Sequence, residues 1–271
     1  QYNLRLSNVS SRRGIELGRE FGVQKWNEIH LSILIPCFNE SENIDLILQD
    51  IANLQKENDL KNIEVVVMDD ASSDDTLERT LKCVEKYPLL NLKVVNRPEP
   101  RRGYGAIVRY GLAYAKGEYF TIVAADGVDP IHLIPIFLQR AEDGADLVQC
   151  SRYLVPSDAD TIPFKYKSYQ VIWRFLVKVL FGKKIADSTY SFRIAKRETL
   201  LGIGLNAFRF SLSPEIFFKV LLSGGKIEHV AAGQGVRKYG ESKFIFRIEG
   251  CGYVYVLLRA WLHRIGLIKW F

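Results

Sequence analysis

The chain has 271 residues, which is enough for one large α/β domain or two small ones. Hydrophobic residues make up 48% and charged residues 25%, a balance typical of a soluble globular protein. The 37 Lys and Arg residues exceed the 31 Asp and Glu residues, and the net charge of +6 is too small to choose between nucleic acid, anionic lipid and phosphorylated substrates as partners.

Cysteine spacing and hydropathy argue against two further classes of protein. The four cysteines are scattered without a CxxC pair, which argues against a structural zinc site and favours free thiols in a reducing compartment. No stretch reaches the ~18 apolar residues of a membrane-spanning helix, and the N-terminus lacks an apolar signal region. We therefore expect a cytoplasmic protein, with any membrane contact being peripheral and on the cytoplasmic face.

Hydrophobic runs divide the chain after a polar N-terminal arm at residues 1–29. The first strand, residues 31–36, ends at Pro36 and precedes a helix that Ser41 would cap. Further strands are predicted at residues 63–68, 92–95, 119–123, 147–150 and 226–231. Further helices are predicted at residues 76–87, 104–116, 131–142, 169–181 and 214–223. Strands that alternate with helices predict an α/β fold with a mainly parallel sheet built from right-handed crossovers.

Four polar clusters follow the first four strands, at the edge of the sheet where parallel α/β folds bind ligands. They lie at residues 36–40, 69–75, 101–105 and 124–130. Any one of them could be an ordinary capped turn, because turns use Asn, Asp, Ser and Gly. Four in succession on one edge favour a binding site instead.

In this order and spacing, the segments ILIPCFNE, VVVMDDASSDDT, RRGYGAIVRYGLAYAKGEY and VAADGVDP resemble the family 2 glycosyltransferases, which have the Rossmann-like GT-A fold. Within that family the chain is most similar to the dolichyl- or polyprenyl-phosphate mannosyl and glucosyl synthases. The later segments SRY, DSTYSFR and RKYGESK resemble further motifs of the same family. The resemblance implies a GT-A catalytic domain at residues 30–243, followed by a C-terminal amphipathic helical segment at residues 244–271.

The resemblance implies a nucleotide-sugar site at the four clusters. It assigns to this site Pro36, Phe38, Glu40, Asp69, Arg102, Gly103, Gly105, Ala125 and Asp126. Asp69 would hold the base or the ribose of the nucleotide. Gly103 and Gly105 would shape the loop beside the nucleotide, since glycine permits close approach of the backbone.

Asp126 corresponds to the second acid of the family's DxD metal motif, and Ala124 replaces the first acid. Asp129 offers a second carboxylate three residues later. Hard cations such as Mg²⁺ or Mn²⁺ prefer oxygen ligands and would stabilise the charge that develops on a departing nucleoside diphosphate. The structural alternative is that Asp129 and Pro130 begin the following helix as its cap and first residue.

The resemblance also implies that three cations, Arg152, Arg193 and Lys243, bind phosphate groups of the donor or the acceptor. The planar guanidinium group of Arg matches the geometry of a phosphate group. We therefore assign Arg152 and Arg193 to catalysis, together with Asp126. A phosphate monoester acceptor has a second pKa of about 6, so it is an anionic nucleophile at neutral pH and needs no strong general base. The implied reaction is inverting transfer of a sugar from a GDP- or UDP-linked donor to a polyprenyl or dolichyl phosphate.

The segment at residues 244–271 mixes aromatic and basic residues on an apolar helix, a pattern suited to the interface of an anionic bilayer. The alternative is a terminal helix that packs on its own domain or on a partner subunit. The expected partners are the nucleotide sugar and the lipid phosphate, with peripheral membrane contact and no nucleic acid. The sequence does not decide between a monomer and a homo-oligomer.

Three other functions compete with this prediction. A family 2 enzyme with a saccharide or other hydroxyl acceptor would need a general base, for which Asp187 is the candidate. A dinucleotide-dependent dehydrogenase fits poorly, because Gly103 and Gly105 lack a third glycine and follow the third strand. An inactive nucleotide-binding scaffold is favoured only by Ala124.

Overall fold

A seven-stranded sheet forms the centre of the computed structural model, which describes residues 29–97, 103–160, 162, 164–182 and 185–271. Its strands are β1 (Leu31–Cys37), β2 (Ile63–Asp69), β3 (Leu92–Asn96), β4 (Tyr119–Ile122), β5 (Leu147–Ser151), β6 (Arg193–Lys196) and β7 (Ile227–Ala231). Their order is β3-β2-β1-β4-β6-β5-β7. Only β6 runs antiparallel to its neighbours β4 and β5 among these strands, so the α/β, mainly parallel sheet predicted from the sequence is confirmed.

Helices cover both faces of the sheet. In chain order they are α1 (Ile44–Glu57), α2 (Thr76–Lys86), α3 (Tyr104–Tyr114), α4 (Ile134–Glu142), α5 (Phe164–Phe181), α6 (Arg197–Gly202), α7 (Leu212–Leu222) and α8 (Phe246–Arg264). Short 3-10 turns lie at Ile131–Leu133 and Pro156–Ala159.

Alternation along the buried strands separates two apolar layers. Ile33 and Ile35 point into a cluster with α1 and α4, whereas the intervening Leu34 points into a cluster with α3, α5, α7 and α8. This period of two is that of a strand whose faces are both covered. The layered arrangement leaves the carboxyl ends of the parallel strands open to carry a site.

Several element boundaries differ from the sequence predictions. Helix α1 begins at Ile44 after Asn43, so Ser41 does not cap it, and α5 begins at Phe164 rather than at residue 169. The side chain of Asp129 does not cap the turn at Ile131–Leu133; it accepts the backbone N–H of Ala124 instead. Strand β6 and helix α6 were not predicted. The arm at residues 1–28 lies outside the described residues.

One side of helix α8 packs against the apolar layer that contains α7. Its buried residues Val256, Leu257 and Ala260 belong to the same apolar cluster as α7, while Tyr255 and Leu258 are exposed. A C-terminal helix is therefore present, and it rests on its own domain; the amphipathic character predicted for this segment stays a prediction. In the part of the chain that the structure describes, no helix has the length and apolar character needed to span a membrane.

Candidate active site

A cleft of about 1580 Å³ opens at the carboxyl ends of β1, β4 and β5. Its walls come from the segments that follow these strands, from residues 234–243, and from α5 and α8. The predicted site residues that line it are Pro36, Phe38, Glu40, Gly103, Ala125, Asp126, Asp129, Arg152 and Lys243. Asp69, Gly105 and Arg193 are not part of this lining, and Arg102 lies outside the described residues.

Arg237 joins two carboxylates across the cleft. Its Nη2 lies 2.6 Å from Asp126 Oδ2, and its Nη1 lies 3.3 Å from Glu40 Oε1. Lys243 Nζ donates to the same Glu40 oxygen at 2.7 Å and to the Asn39 carbonyl at 2.9 Å. Two acids and two cations thus meet in one partly buried cluster, where charges are screened less than on an open surface.

Asp129 is the most perturbed acid of the cleft. Its Oδ2 accepts the Ala124 N–H at 2.7 Å, and its Oδ1 is buried without a hydrogen-bond partner among the described residues. Burial raises the pKa of Asp129 to about 7, and the nearby charge of Asp126 adds to the rise. The neighbouring Tyr190 hydroxyl opposes the rise, and a ligand that brings positive charge or a proton would suit the Oδ1 oxygen.

Asp70, rather than the predicted Asp69, faces the cleft at the end of β2. Its Oδ2 accepts the N–H of Gly103 at 2.9 Å, and its Oδ1 accepts from Nε of the buried Arg97 at 2.8 Å. Asp69 Oδ2 accepts the Ser72 N–H at 3.1 Å, which turns the chain behind the pocket. Of these two acids, the buried Asp70 is therefore the one that lines the cleft.

The two predicted glycines are needed for packing against protein backbone. A Cβ on Gly103 would lie 2.5 Å from the Phe208 carbonyl oxygen, and one on Gly105 would lie 2.3 Å from the Ala207 carbonyl oxygen. The close approach predicted for these glycines is thus made by the start of α3 to the backbone of residues 207–209. Gly103 still lines the cleft, and the packing brings Arg209 and Phe210 to its wall.

Arg152 is held by a network at the cleft floor. Its Nε donates to Asp187 Oδ2 at 2.8 Å, its Nη2 to Thr189 Oγ1 at 3.1 Å, and its Nη1 to Gln234 Oε1 at 3.4 Å. Its guanidinium also lies 4.4 Å from the centre of the Tyr190 ring, within the range of a cation–π contact. This geometry fixes one positive charge at the base of the cleft.

Both carboxylate oxygens of Asp187, the candidate general base, already accept hydrogen bonds, so this residue is not free to abstract a proton. Burial opposes its ionisation, but the charge of Arg152 and hydrogen bonds from Arg152 and Thr189 lower the pKa of Asp187. Its Oδ1 accepts the N–H groups of Thr189 at 3.0 Å and Tyr190 at 3.2 Å. A carboxylate that is fully buried and hydrogen-bonded in this way orients Arg152 instead of taking protons.

Arg193 lies behind the cleft rather than on its wall. Only 2% of the residue is exposed, and its guanidinium donates to the backbone carbonyls of Ser213, Tyr190 and Ser191. Burial lowers the pKa of Arg193 to about 10, so the side chain stays charged at neutral pH. These bonds, of which the one to Ser213 joins β6 to α7, occupy the guanidinium and hold it away from the cleft, where the sequence had assigned it a phosphate contact.

Arg237 is the main residue that sequence reasoning missed. It begins the segment RKYGESK, from which only Lys243 was assigned. The paired cations at both ends of this segment were the available signal. No sequence pattern pointed to Gln234, which lies near Arg152 only because β7 neighbours β5.

The cleft continues as an apolar groove between α5 and α8. Its walls include Tyr169 and Trp173 of α5 and Tyr253, Val254 and Leu258 of α8. The cleft therefore joins a charged inner end to an apolar outer end. Within the described residues, no group of three or more His, Cys, Asp or Glu side chains is arranged to hold a metal ion by itself.

Comparison with known proteins gives one matching family. The sequence profile described as Glycosyl transferase family 2 matches residues 32–203. The dolichol-phosphate mannosyltransferase of Pyrococcus furiosus is 30% identical over 89% of this chain and 64% of its own length. The dolichyl-phosphate beta-glucosyltransferase of Dictyostelium discoideum is 25% identical over 71% of this chain and 62% of its own length. The chain thus spans less than two thirds of these relatives.

The fold is similar to solved structures of glucosyl-3-phosphoglycerate synthase from Mycobacterium tuberculosis. The complex with Mn²⁺, UDP and glucosyl-3-phosphoglycerate has a TM-score of 0.62 at 19% identity, covering 98% of this chain and 88% of that one. The complex with UDP alone has a TM-score of 0.64 at 17% identity. At this identity the likeness concerns the fold.

Proposed function

The chain belongs to glycosyl transferase family 2, and on that premise we propose that it transfers a sugar from a nucleotide-sugar donor to a polyprenyl phosphate, with inversion at the anomeric carbon. The observation that carries the proposal is a single cleft whose charged inner end opens into an apolar groove between α5 and α8. Such a cleft suits an acceptor that carries a phosphate at one end and a hydrocarbon chain at the other.

The donor site occupies the inner end. Pro36, Phe38 and Asp70 would face the nucleoside, because they line the cleft at the ends of β1 and β2. Arg237 and Lys243 would compensate the diphosphate, since both already hold carboxylates there. The proposed donor nucleotide is GDP or UDP. The proposed sugar is mannose or glucose, the sugars in the names of the two relatives.

Asp126 and Asp129 fit a divalent ion of the Mg²⁺ or Mn²⁺ type. Asp126 lies on the cleft wall, and Asp129 Oδ1 is a buried oxygen without a partner among the described residues. Two carboxylates suit an ion that takes its remaining ligands from a diphosphate and water. When bound, the ion would offset the negative charge that develops on the departing nucleoside diphosphate.

The acceptor is the point at which the two candidate reactions differ. A hydroxyl acceptor requires a general base, and Asp187 is locked to Arg152 and Thr189. A phosphate acceptor is already anionic at neutral pH, so the protein must position two anions and offset their repulsion. Arg152 is suited to binding the acceptor phosphate. Its side chain is 13% exposed at the cleft floor, and its guanidinium group is held in place by Asp187. A saccharide or other hydroxyl acceptor is the second candidate; the M. tuberculosis fold neighbour was solved with glucosyl-3-phosphoglycerate, which is not a lipid.

Peripheral membrane contact through α5 and α8, on the cytoplasmic face, belongs to the same proposal. Phe164, Val171, Phe175 and Val179 recur along one face of α5 and are exposed, and α5 contains no acidic residue. Exposed apolar and basic residues together favour the interface of an anionic bilayer. This surface would bring the groove to the level of the lipid acceptor.

A transfer screen tests the proposed function. Purified protein is incubated with GDP-mannose, UDP-glucose and related donors, with polyprenyl phosphate in detergent and with Mg²⁺ or Mn²⁺. A sugar-phosphate lipid as the product supports donor, acceptor and ion together, and Asp126→Ala is expected to abolish it. Nucleotide release with a saccharide acceptor only would favour the second candidate. Nucleotide binding without release or transfer, whichever ion is supplied, would favour an inactive nucleotide-binding scaffold.

A further inference from the structure

A chain of hydrogen bonds fixes the amide of Gln170 in one orientation. Asp187 is fully buried and its lowered pKa keeps it ionised, so it can only accept hydrogen bonds. Thr189 Oγ1, 2.9 Å from Asp187 Oδ1, must therefore donate its one hydrogen to that oxygen. Thr189 Oγ1 then accepts from Gln170 Nε2 at 2.8 Å. The amide nitrogen of Gln170 thus faces Thr189, and its carbonyl oxygen Oε1 faces away.

That oxygen and the Tyr153 phenol are two of five buried cleft-lining side-chain atoms without a hydrogen-bond partner among the described residues; the others are Tyr104 Oη, Asp129 Oδ1 and Tyr190 Oη. Gln170 Oε1 and Tyr153 Oη are both buried without a hydrogen-bond partner among the described residues, and both side chains line the cleft. Buried polar side-chain atoms in folded proteins are nearly always hydrogen-bonded. Two such atoms on the wall of one cleft therefore mark a place where a ligand supplies the missing partners.

The Tyr153 side chain is as firmly held as the amide. The centre of its ring lies 5.5 Å from the guanidinium carbon of Arg152 and 4.5 Å from that of Arg174. Contacts of this kind orient an aromatic ring without using its hydroxyl group. Because Arg152 also donates to Thr189, the phenol and the amide belong to one fixed network.

The chemistry of the two atoms selects a ligand with hydroxyl groups. An amide oxygen can only accept a hydrogen bond, and a phenol can donate and accept. A fully ionised phosphate has no hydrogen to give to Gln170 Oε1, whereas a sugar hydroxyl can donate to the amide and exchange hydrogen bonds with the phenol. The two positions therefore fit a hydroxylated ring better than a phosphate group.

We propose that Tyr153 Oη and Gln170 Oε1 form the subsite that binds hydroxyl groups of the transferred sugar. This inference rests on the proposed function, because it takes the donor to be a nucleotide sugar. The subsite adjoins the diphosphate end through Arg152, which donates to Gln234, three residues before Arg237. A saccharide acceptor would offer the same hydroxyl chemistry, so the experiment separates the two sources.

The test compares nucleotide sugar with nucleotide in binding experiments. Tyr153→Phe removes one unpartnered oxygen and keeps the ring, and Tyr114→Phe is a matched control, since its hydroxyl lies on exposed α3 outside the cleft. Calorimetry gives Kd values for GDP, UDP and their mannose and glucose conjugates. We expect Tyr153→Phe to weaken the preferred nucleotide sugar about tenfold and to leave the free nucleotide unchanged. Gln170→Met should act in the same direction, and Tyr114→Phe should alter neither ligand.

Each other outcome overturns the assignment in a distinct way. Equal weakening of nucleotide and nucleotide sugar by Tyr153→Phe would mean that the phenol supports the site generally. An unchanged nucleotide-sugar Kd, with a raised KM for a saccharide acceptor, would move the subsite to the acceptor. An unchanged Kd and KM would remove the subsite. Wild-type protein that binds neither nucleotide nor nucleotide sugar would overturn the proposed function itself, and the subsite with it.

Discussion

Arg237 places a protein cation against the carboxylates of Glu40 and Asp126. Its 2.6 Å contact with Asp126 occupies Oδ2, one of the two carboxylate oxygens that could hold a divalent ion. The cation and the ion therefore compete for one carboxylate when no nucleotide is bound. A diphosphate would change this balance, because it gives Arg237 an alternative anion.

Replacing Arg237 by Met should increase binding of Mn²⁺ in the absence of nucleotide. The change frees Asp126, and we expect the apparent Kd for Mn²⁺ to fall about tenfold, as measured by electron paramagnetic resonance of the free ion. Lys243→Met is the matched control, since Lys243 contacts Glu40 and not Asp126. Identical Mn²⁺ binding by wild type and Arg237→Met would show that Asp126 is not the ligand.

The ion pair of Asp187 and Arg152 makes a pH-dependent contribution to stability. The folded pKa of Asp187 lies below its ordinary value of about 3.9, so the pair stabilises the fold at pH values above the ordinary pKa. This contribution is lost as the pH falls through the lowered folded value. We expect the free energy of unfolding of wild type to drop more steeply between about pH 5 and pH 3 than that of Asp187→Asn.

Urea unfolding at several pH values measures this difference directly. Asp146→Asn is a control, because Asp146 is partly exposed and its ion pair with Lys196 is 3.9 Å long. Parallel pH profiles for wild type and Asp187→Asn would contradict the assigned role of the Arg152 pair.

Strands with long hydrophobic runs were predicted from the sequence, whereas β6, which has no such run, was not. Buried β1 and β2 read as continuous apolar runs, whereas β6 has only Ile194 and Ala195 between two cations. Its place between β4 and β5 is set by tertiary pairing, which local pattern does not encode. Because β6 carries Arg193 into the core, missing this strand also misplaced that residue in the site.

Loop residues were predicted better by identity than by role. Asp126, Arg152 and Lys243 reach the cleft as expected, since each follows or approaches the carboxyl end of a strand. The choice between Asp69 and Asp70 depends on which side chain turns outward after β2, and adjacent acids give no signal for it. The two glycines were assigned to the loop beside the nucleotide, whereas the backbone that they approach in the fold is that of Ala207 and Phe208, distant in sequence.

The packing of α3 on residues 207–209 makes Gly105 sensitive to any side chain. A Cβ there would lie 2.3 Å from a backbone oxygen, so Gly105→Ala must displace the helix or the segment. We expect a loss of about 1–3 kcal/mol in the free energy of unfolding, the usual cost of overpacking. Chemical unfolding measures it, with Gly202→Ala as control, because nothing lies within 4 Å of a Cβ at that position. Equal stability of the two variants would show that the contact is not tight.

At the scale of the whole molecule, α5 and α8 form the wall of the cleft and the proposed membrane surface together. Phe175 is 63% exposed on α5, and Leu89, which follows α2, is 86% exposed. We expect Phe175→Ser to weaken sedimentation with phosphatidylglycerol vesicles and Leu89→Ser to leave it unchanged, since Phe175 lies on the proposed membrane surface and Leu89 does not. Equal binding by both variants would place membrane contact elsewhere.

The two halves of the chain divide the proposed reaction. Strands β1 to β4 position the nucleotide end of the cleft, and the segments from β5 to α8 supply Arg152, the 234–243 segment and the apolar groove. A lipid phosphate uses both ends of this cleft at once. A polyprenol without the phosphate would occupy the groove but leave the fixed charge of Arg152 without an anion.

The most direct measurement compares polyprenyl phosphate with the matching polyprenol as acceptors, under one donor, one detergent and one ion. Mass spectrometry of the lipid product reports transfer to each. Transfer to the phosphate and none to the alcohol is the expected result, because Asp187, the candidate general base, is held by Arg152 and Thr189. Transfer to the alcohol at a comparable rate, or to a saccharide alone, would contradict the proposed acceptor.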